Sequence, residues 1–147
     1  MTSTETNTEH IHDNDCLFCK IIKKEIPCYK LYETQNIIVF LNIFPTNHGH
    51  VLIIPKTHAK TIFEIEQDTL IEITKQSKII ASNLKEKLNC GGVSIIQNNN
   101  KAAEQDISHY HMHIIPRYDD DGMNINYNEQ KEMLTSNEAL EILMKIS

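Results

Sequence analysis

Three histidines alternate with apolar residues in the run His109-Tyr110-His111-Met112-His113. In an extended strand alternate side chains share a face, so the imidazoles would line one surface at a spacing of about 6–7 Å while Tyr110, Met112 and Ile114 turn into apolar packing. Three chemistries fit such a row. It could be a polar strand face satisfied by hydrogen bonds. It could hold a metal, for which imidazole is a common ligand. It could also do covalent catalysis, because a neutral imidazole attacks phosphorus near neutral pH without losing a costly proton. That use requires an acceptor for the second ring N–H, and a neighbouring histidine to donate to the phosphate oxygens or the leaving group. Cys16 and Cys19 form a second constellation, a CxxC. A redox use of this motif wants a βαβ pattern beside it, and a zinc site wants two further ligands.

The elements that must position these groups are readable in outline. Residues 1–15 read as a flexible polar leader, with His10 and His12 solvated. Leu17, Phe18, Ile21 and Ile22 have the spacing of a short helix, stopped by Pro27. Tyr29 to Glu33, Ile37 to Leu41 and Val51 to Ile54 read as strands, with Pro45, Asn47 and Gly49 marking a loop that leaves His48 exposed. Asp68 is placed to cap a long helix running to about Leu88, whose Leu70, Ile73, Ser77, Ile80, Ala81, Leu84 and Leu88 share one face. Gly91 and Gly92 would end it in a left-handed cap. Val93 to Gln97, a turn at 98–101, and His109 to Ile115 read as an antiparallel pair bounded by Pro116. Residues 119–134 are polar and acidic, with Asp119–Asp121 a solvated run. Thr135 and Glu138 make a capping-box signature for a last helix to about Ile146. The class is α+β, an antiparallel sheet with segregated helices.

Bulk properties narrow the function. The chain has 147 residues and a formal net charge of -6. That length suits one domain with a genuine core. An acidic chain does not attract a nucleic-acid backbone, so a phosphate-bearing ligand must be met by a local site. No stretch approaches the roughly 20 apolar residues of a membrane span, and the first residues do not read as a secretory signal. Four cysteines without such a signal point to a reducing, cytoplasmic setting and to thiols or metal ligands before disulfides. Cys28 and Cys90 are most simply buried as small apolar residues.

The run from His109 to Ile115, continued by Pro116-Arg117-Tyr118, resembles the signature of the histidine triad (HIT) family. Cys16-Leu17-Phe18-Cys19-Lys20-Ile21-Ile22, Glu25-Ile26-Pro27, His50-Val51-Leu52-Ile53-Ile54-Pro55-Lys56 and Gln97-Asn98-Asn99 match in kind and order. The resemblance covers roughly residues 16–118, leaves 119–147 as a C-terminal extension, and lies nearer the Hint branch than the Fhit branch. It implies a five-stranded antiparallel sheet with two main helices, usually a homodimer with a continuous ten-stranded sheet. It also implies a purine nucleotide substrate attacked at its α-phosphate by His111, through a nucleotidyl-histidine intermediate later hydrolysed by water. His113 and His50 would bracket the phosphate as donors, with His109 beside the nucleophile. Asn98 and Gln105 would reach the phosphate, and Phe18, Ile21, Phe40 and Ile43 would form the nucleoside pocket. The four apolar residues could equally be plain core. Some bacterial members, and the related hexose-1-phosphate uridylyltransferases, carry a structural zinc, and the matching ligands here are Cys16, Cys19, His58 and His109. No organic cofactor is implied.

The chain departs from the family's pattern at four positions. Asn42 replaces an Asp that accepts ribose hydroxyls, and lacks its charge. Asp106 replaces a Ser or Thr that donates to the phosphate; a carboxylate there would repel the ligand, so Asp106 is expected to turn away and leave only its backbone N–H in service. Asn100 and Glu104 replace glycines. Asn tolerates the left-handed region better than most residues, whereas Glu104 puts the loop conformation in question.

The leading expectation is hydrolysis of phosphoramidates or nucleotidyl esters of nucleoside 5′-monophosphates. A dinucleoside polyphosphate hydrolase of the Fhit kind is the first rival. A nucleotide-binding or scaffold protein with vestigial turnover is the second, and a protein whose triad serves only a metal the third.

Overall fold

The structure is a computed structural model that describes residues 13–124 and 132–147. Most of the expected leader, His10 and His12 included, lies outside the described residues, as does the middle of the 119–134 segment. Among the described residues nine elements follow in order: α1 (Leu17–Ile22), β1 (Lys30–Glu33), β2 (Ile37–Leu41), β3 (Val51–Pro55), α2 (Gln67–Leu88), β4 (Gly92–Ile96), a 3₁₀ turn (Lys101–Ala103), β5 (Met112–Arg117) and α3 (Ser136–Ile146). The strands form one five-stranded sheet in the order β1-β2-β3-β5-β4, with every neighbouring pair antiparallel. The α+β class and the sheet expected from the sequence are therefore present.

The central strands read as unbroken apolar runs because both faces of the sheet are covered. On one face Ile37, Val39, Val51, Ile53, Tyr110, Met112 and Ile114 pack against Ile73, Ile80 and Leu84 of α2. On the other, Ile38, Phe40, Leu52 and Ile54 pack against Phe18, Cys19 and Ile21 of α1. The register keeps the faces in phase, with Phe40 opposite Leu52 and Val39 opposite Ile53. Each fully buried aliphatic side chain contributes about 1.5–3 kcal/mol. The helical face expected along α2 is the one that packs, with Leu70, Ala81 and Leu88 at its margins.

Several boundaries differ from the sequence reading. Asp68 does not cap α2. Glu66 stands at the N-cap without a side-chain bond, and Asp68 sits in the first turn, where a carboxylate favours the positive end of the helix dipole. The left-handed C-cap is Asn89 at φ 51° rather than Gly91 or Gly92, since asparagine reaches that region when its amide can bond locally. The last strand is shifted too. β5 begins at Met112 and runs through Pro116 to Arg117. β3 pairs with β5 only from Met112 to Ile114, so at Pro116 no third strand demands the N–H that proline lacks. His109 and His111 lie in the extended lead-in to β5, where the Tyr110 N–H donates to Ala59 O (2.7 Å). The Thr135–Glu138 capping box is present as expected, ahead of α3.

Candidate functional site

The lead-in to β5 places His111 at the wall of a cavity of about 210 Å³, with His113, Asp106, Asn42, Phe18 and Phe40 among its lining. Ile21 and Ile43 also line it, so all four expected pocket residues meet there. Phe18 stands edge-on to Phe40 and to His111, at ring-centroid distances of 5.8 and 5.2 Å. Leu17, Ile26, Cys28, Leu52 and Ile107 are also part of the apolar wall. Sequence reading missed these. Cys28, expected as core, is only half-buried and faces the cavity. Among the described residues no Lys or Arg lines it.

The proton positions follow from fixed partners. The His109 carbonyl can only accept, so His111 donates Nδ1–H to it (2.7 Å). That leaves the Nε2 lone pair of His111 for chemistry in the cavity. A second chain fixes His113. The Thr46 backbone N–H donates to His50 Nδ1 (3.1 Å), so the proton of His50 is on Nε2 and is donated to His113 Nδ1 (2.9 Å). Burial, then repulsion from His111 and His50, pushes His113 down to about 4, so it is neutral at pH 7 and its proton is on Nε2. Burial and the His111 charge also lower His50. His50, expected to bracket the phosphate, is not among the residues lining the cavity and reaches it only through its bond to His113.

Asp106 also departs from expectation. Its side chain does not turn away. Asp106 Oδ1 accepts from the Ile107 N–H (3.0 Å) and lies 3.0 Å from His111 Nε2. A carboxylate and an imidazole nitrogen bond at that distance only with a proton between them, so Asp106 covers His111 Nε2. Burial pushes the Asp106 carboxyl up, but the facing His111 and the hydrogen bonds from backbone and imidazole outweigh it and hold it below the ordinary carboxylate range.

Gln105 and Asn98, expected to reach the phosphate, do not line the cavity. The Gln105 amide is spent on the loop: Oε1 accepts from the Asn100 N–H (2.7 Å), and Nε2 donates to Lys60 O (2.7 Å) and Ile107 O (2.9 Å). It shapes the wall without reaching the cavity. Asn98 follows the end of β4 and does not line the cavity. Asn42 does, and its Oδ1 accepts from the Phe44 N–H (2.9 Å), so it offers a ligand its amide NH₂, a donor. The two glycine replacements both carry positive φ, Asn100 at 70° and Glu104 at 65°, so the loop keeps a backbone that glycine would favour. Asp121 is no solvated residue. It accepts from Arg117 Nε (2.8 Å), Asn47 Nδ2 (2.8 Å) and the Tyr118 N–H (3.1 Å), tying the end of β5 to the loop that carries His50.

The second constellation includes His109, two residues before His111. Cys16, Cys19, His58 and His109 bring their ligand atoms within 4.8 Å of one another. His109 Nε2–H donates to Pro55 O (2.8 Å), turning its Nδ1 lone pair into the cluster. The Cys19 N–H donates to Cys16 Sγ and the Asp13 N–H to Cys19 Sγ, an arrangement that suits thiolate charge. Burial pushes the Cys19 thiol up to about 11, so a thiolate there at neutral pH needs a cation beside it. His58 Nε2 is buried with no hydrogen-bond partner. These four residues could hold a metal ion.

A HIT domain sequence profile matches residues 23–120. The chain is 42% identical over 118 residues to an uncharacterized HIT-like protein of Methanocaldococcus jannaschii, covering 80% of this chain and 91% of that one. It is 39% identical over 120 residues to the adenosine 5′-monophosphoramidase of Saccharomyces cerevisiae, covering 82% and 73%. The crystal structure of a HIT family protein from Bacillus anthracis superposes with a TM-score of 0.84 at 32% identity, covering 92% and 96%.

Proposed function

The chain belongs to the HIT family, and on that premise we propose that it hydrolyses derivatives of adenosine 5′-monophosphate at the α-phosphorus, phosphoramidates before esters. One observation carries the reading. The His109 carbonyl takes the Nδ1–H of His111 and so turns Nε2 toward an apolar cavity the size of a nucleoside base, where it offers a lone pair once Asp106 and the shared proton leave.

The base would lie between Phe18, Ile21, Phe40 and Ile43, with Asn42 donating to a ribose hydroxyl. Asp106, 69% exposed at its side chain, swings aside, and the proton it shares with His111 goes to solvent. The Nε2 lone pair attacks the α-phosphorus. The bond to the leaving group breaks, and the leaving amine departs with the electron pair and a proton from water. His113 Nε2–H donates to a non-bridging phosphate oxygen and, held by His50, offsets the developing charge. Water then attacks phosphorus, the electron pair of the P–N bond returns to Nε2, and the water's proton passes to solvent. Residues 16–118 form the catalytic unit in this reading.

Zinc suits the cysteine–histidine cluster. A tetrahedral ion at Zn–S of about 2.3 Å and Zn–N of about 2.0–2.1 Å has ligand–ligand edges of roughly 3.3–3.8 Å. Four of the six edges run 3.1, 3.3, 3.3 and 3.6 Å, and all six lie within 4.8 Å. Cys16, Cys19, His58 and His109 would hold it, and it would supply structural rigidity behind His111. All four cysteines of the chain are free thiols, as a reducing cytoplasm would keep them. No described helix is long and apolar enough to cross a membrane. A homodimer joined along the edge strand β4, where Ile95 is exposed, would extend the sheet.

The test is turnover of adenosine 5′-phosphoramidate by the wild type and by His111→Ala. Turnover that vanishes in the variant while adenosine still binds supports the reading. Equal turnover in both contradicts it.

A further inference from the structure

Asp106 Oδ1 occupies a seat built for an anion. Two groups converge on that single oxygen, the Ile107 backbone N–H and His111 Nε2, each at 3.0 Å. The place 3.0 Å in front of the nucleophile is also where a reacting phosphoryl group must come, since attack needs contact at about 3–3.5 Å. The carboxylate is therefore an internal occupant of the phosphate position. It is exposed and on a loop, its partners are the Ile107 N–H and the His111 imidazole, and among the described residues no Lys or Arg lines the cavity. A ligand phosphate must displace it and then sit close to its charge.

The strength of that opposition depends on the ligand's charge. A phosphate monoester carries about −1.5 to −2 near pH 7. A derivative whose third oxygen is replaced by an amine, or esterified, has only one ionisable oxygen left and carries a single negative charge. We propose that Asp106 is a specificity-determining residue that selects the singly charged, substituted nucleotide over the doubly charged nucleoside monophosphate, and so speeds release of the product. The inference rests on the nucleotide reading above and adds the discrimination by charge.

The experiment is calorimetric titration of the full-length protein with AMP and with adenosine at pH 7.5, for the wild type, Asp106→Asn, Asp106→Ser and Asp106→Glu. Removing one partly screened charge a few ångströms from a dianion is worth about five- to tenfold in affinity. The Asn and Ser variants should bind AMP tighter by that factor, the Glu variant should stay near the wild type, and adenosine should bind all four alike. AMP inhibition of turnover should tighten in parallel. Unchanged AMP affinity in the Asn and Ser variants, with adenosine bound, overturns the charge filter and leaves the nucleotide reading standing. Adenosine tightening by the same factor also overturns it, because the effect would then be one of pocket shape. Binding of neither ligand to any of the four proteins overturns both readings.

Discussion

The carbonyl oxygen of His109 lies 2.7 Å from Nδ1 of His111, while the imidazole of the same His109 faces Cys16, Cys19 and His58. One residue thus joins the cysteine cluster to the tautomer of His111. Whatever fixes the His109 ring also fixes the carbonyl that holds His111.

That linkage predicts how metal removal acts. Stripping the protein with a chelator should lower its melting temperature and its turnover together, and added Zn²⁺ should restore both. Elemental analysis of variants separates the two sites. Cys19→Ala and His58→Ala should lose the metal, and His111→Ala should keep it. Retention of metal by the Cys19 variant would show that the cluster is not its site.

Acid should destabilise the fold through His113. Its folded value of about 4 lies below the ordinary histidine value near 6.5. Between those two, the unfolded chain binds more protons than the folded one, so stability falls as pH drops from about 6.5 to about 4 and is insensitive to this group above 6.5. Urea midpoints across that window should decline in the wild type. The decline should be shallower in His113→Gln, which cannot be protonated. Equal slopes would contradict the neutral assignment that makes His113 a donor.

Gly49 is fixed by its surroundings. It sits at φ +87°, and a Cβ there would clash with Leu88 Cδ1 and meet Pro116 Cγ at 3.2 Å. Gly49→Ala combines a strained backbone with overpacking and should cost about 2–4 kcal/mol, read from the denaturant midpoint. Because His50 is the next residue, turnover should fall more than the lost stability accounts for.

At Glu104 the opposite change helps. Its φ of 65° is a conformation that costs a residue with a Cβ about 1–2 kcal/mol. Glu104→Gly should raise the unfolding midpoint by up to about 1 kcal/mol, less the entropy that glycine gives the unfolded chain.

Much of this was legible in the sequence, for identifiable reasons. The α2 face repeats with the helical period and the β2 and β3 runs are continuously apolar, so elements and core could be read from pattern alone. The CxxC and the two histidines completing it could be named from the resemblance, because metal ligation depends on residue type. What pattern could not give was the direction of single side chains. Asp106 turns inward because a backbone N–H and an imidazole outbid solvent for its oxygen. Gln105 is spent on three backbone groups of its loop. His50 is aimed by the amide of Thr46, and Asp121 by Arg117 and Asn47. The strand containing the triad begins later than its alternation suggests because β3 pairs with it only from Met112. Alternation of faces holds through the lead-in all the same, since Tyr110 joins Met112 and Ile114 in the α2-side core.

The central claim is that His111 forms a bond to phosphorus. The stereochemistry of hydrolysis in isotopically labelled water, with an adenosine phosphoramidate substrate chiral at phosphorus, tests it most directly. Two successive in-line displacements, first by His111 Nε2 and then by water, each invert the centre, so the account predicts net retention. Net inversion would mean that water attacks phosphorus directly, and His111 would not be the nucleophile.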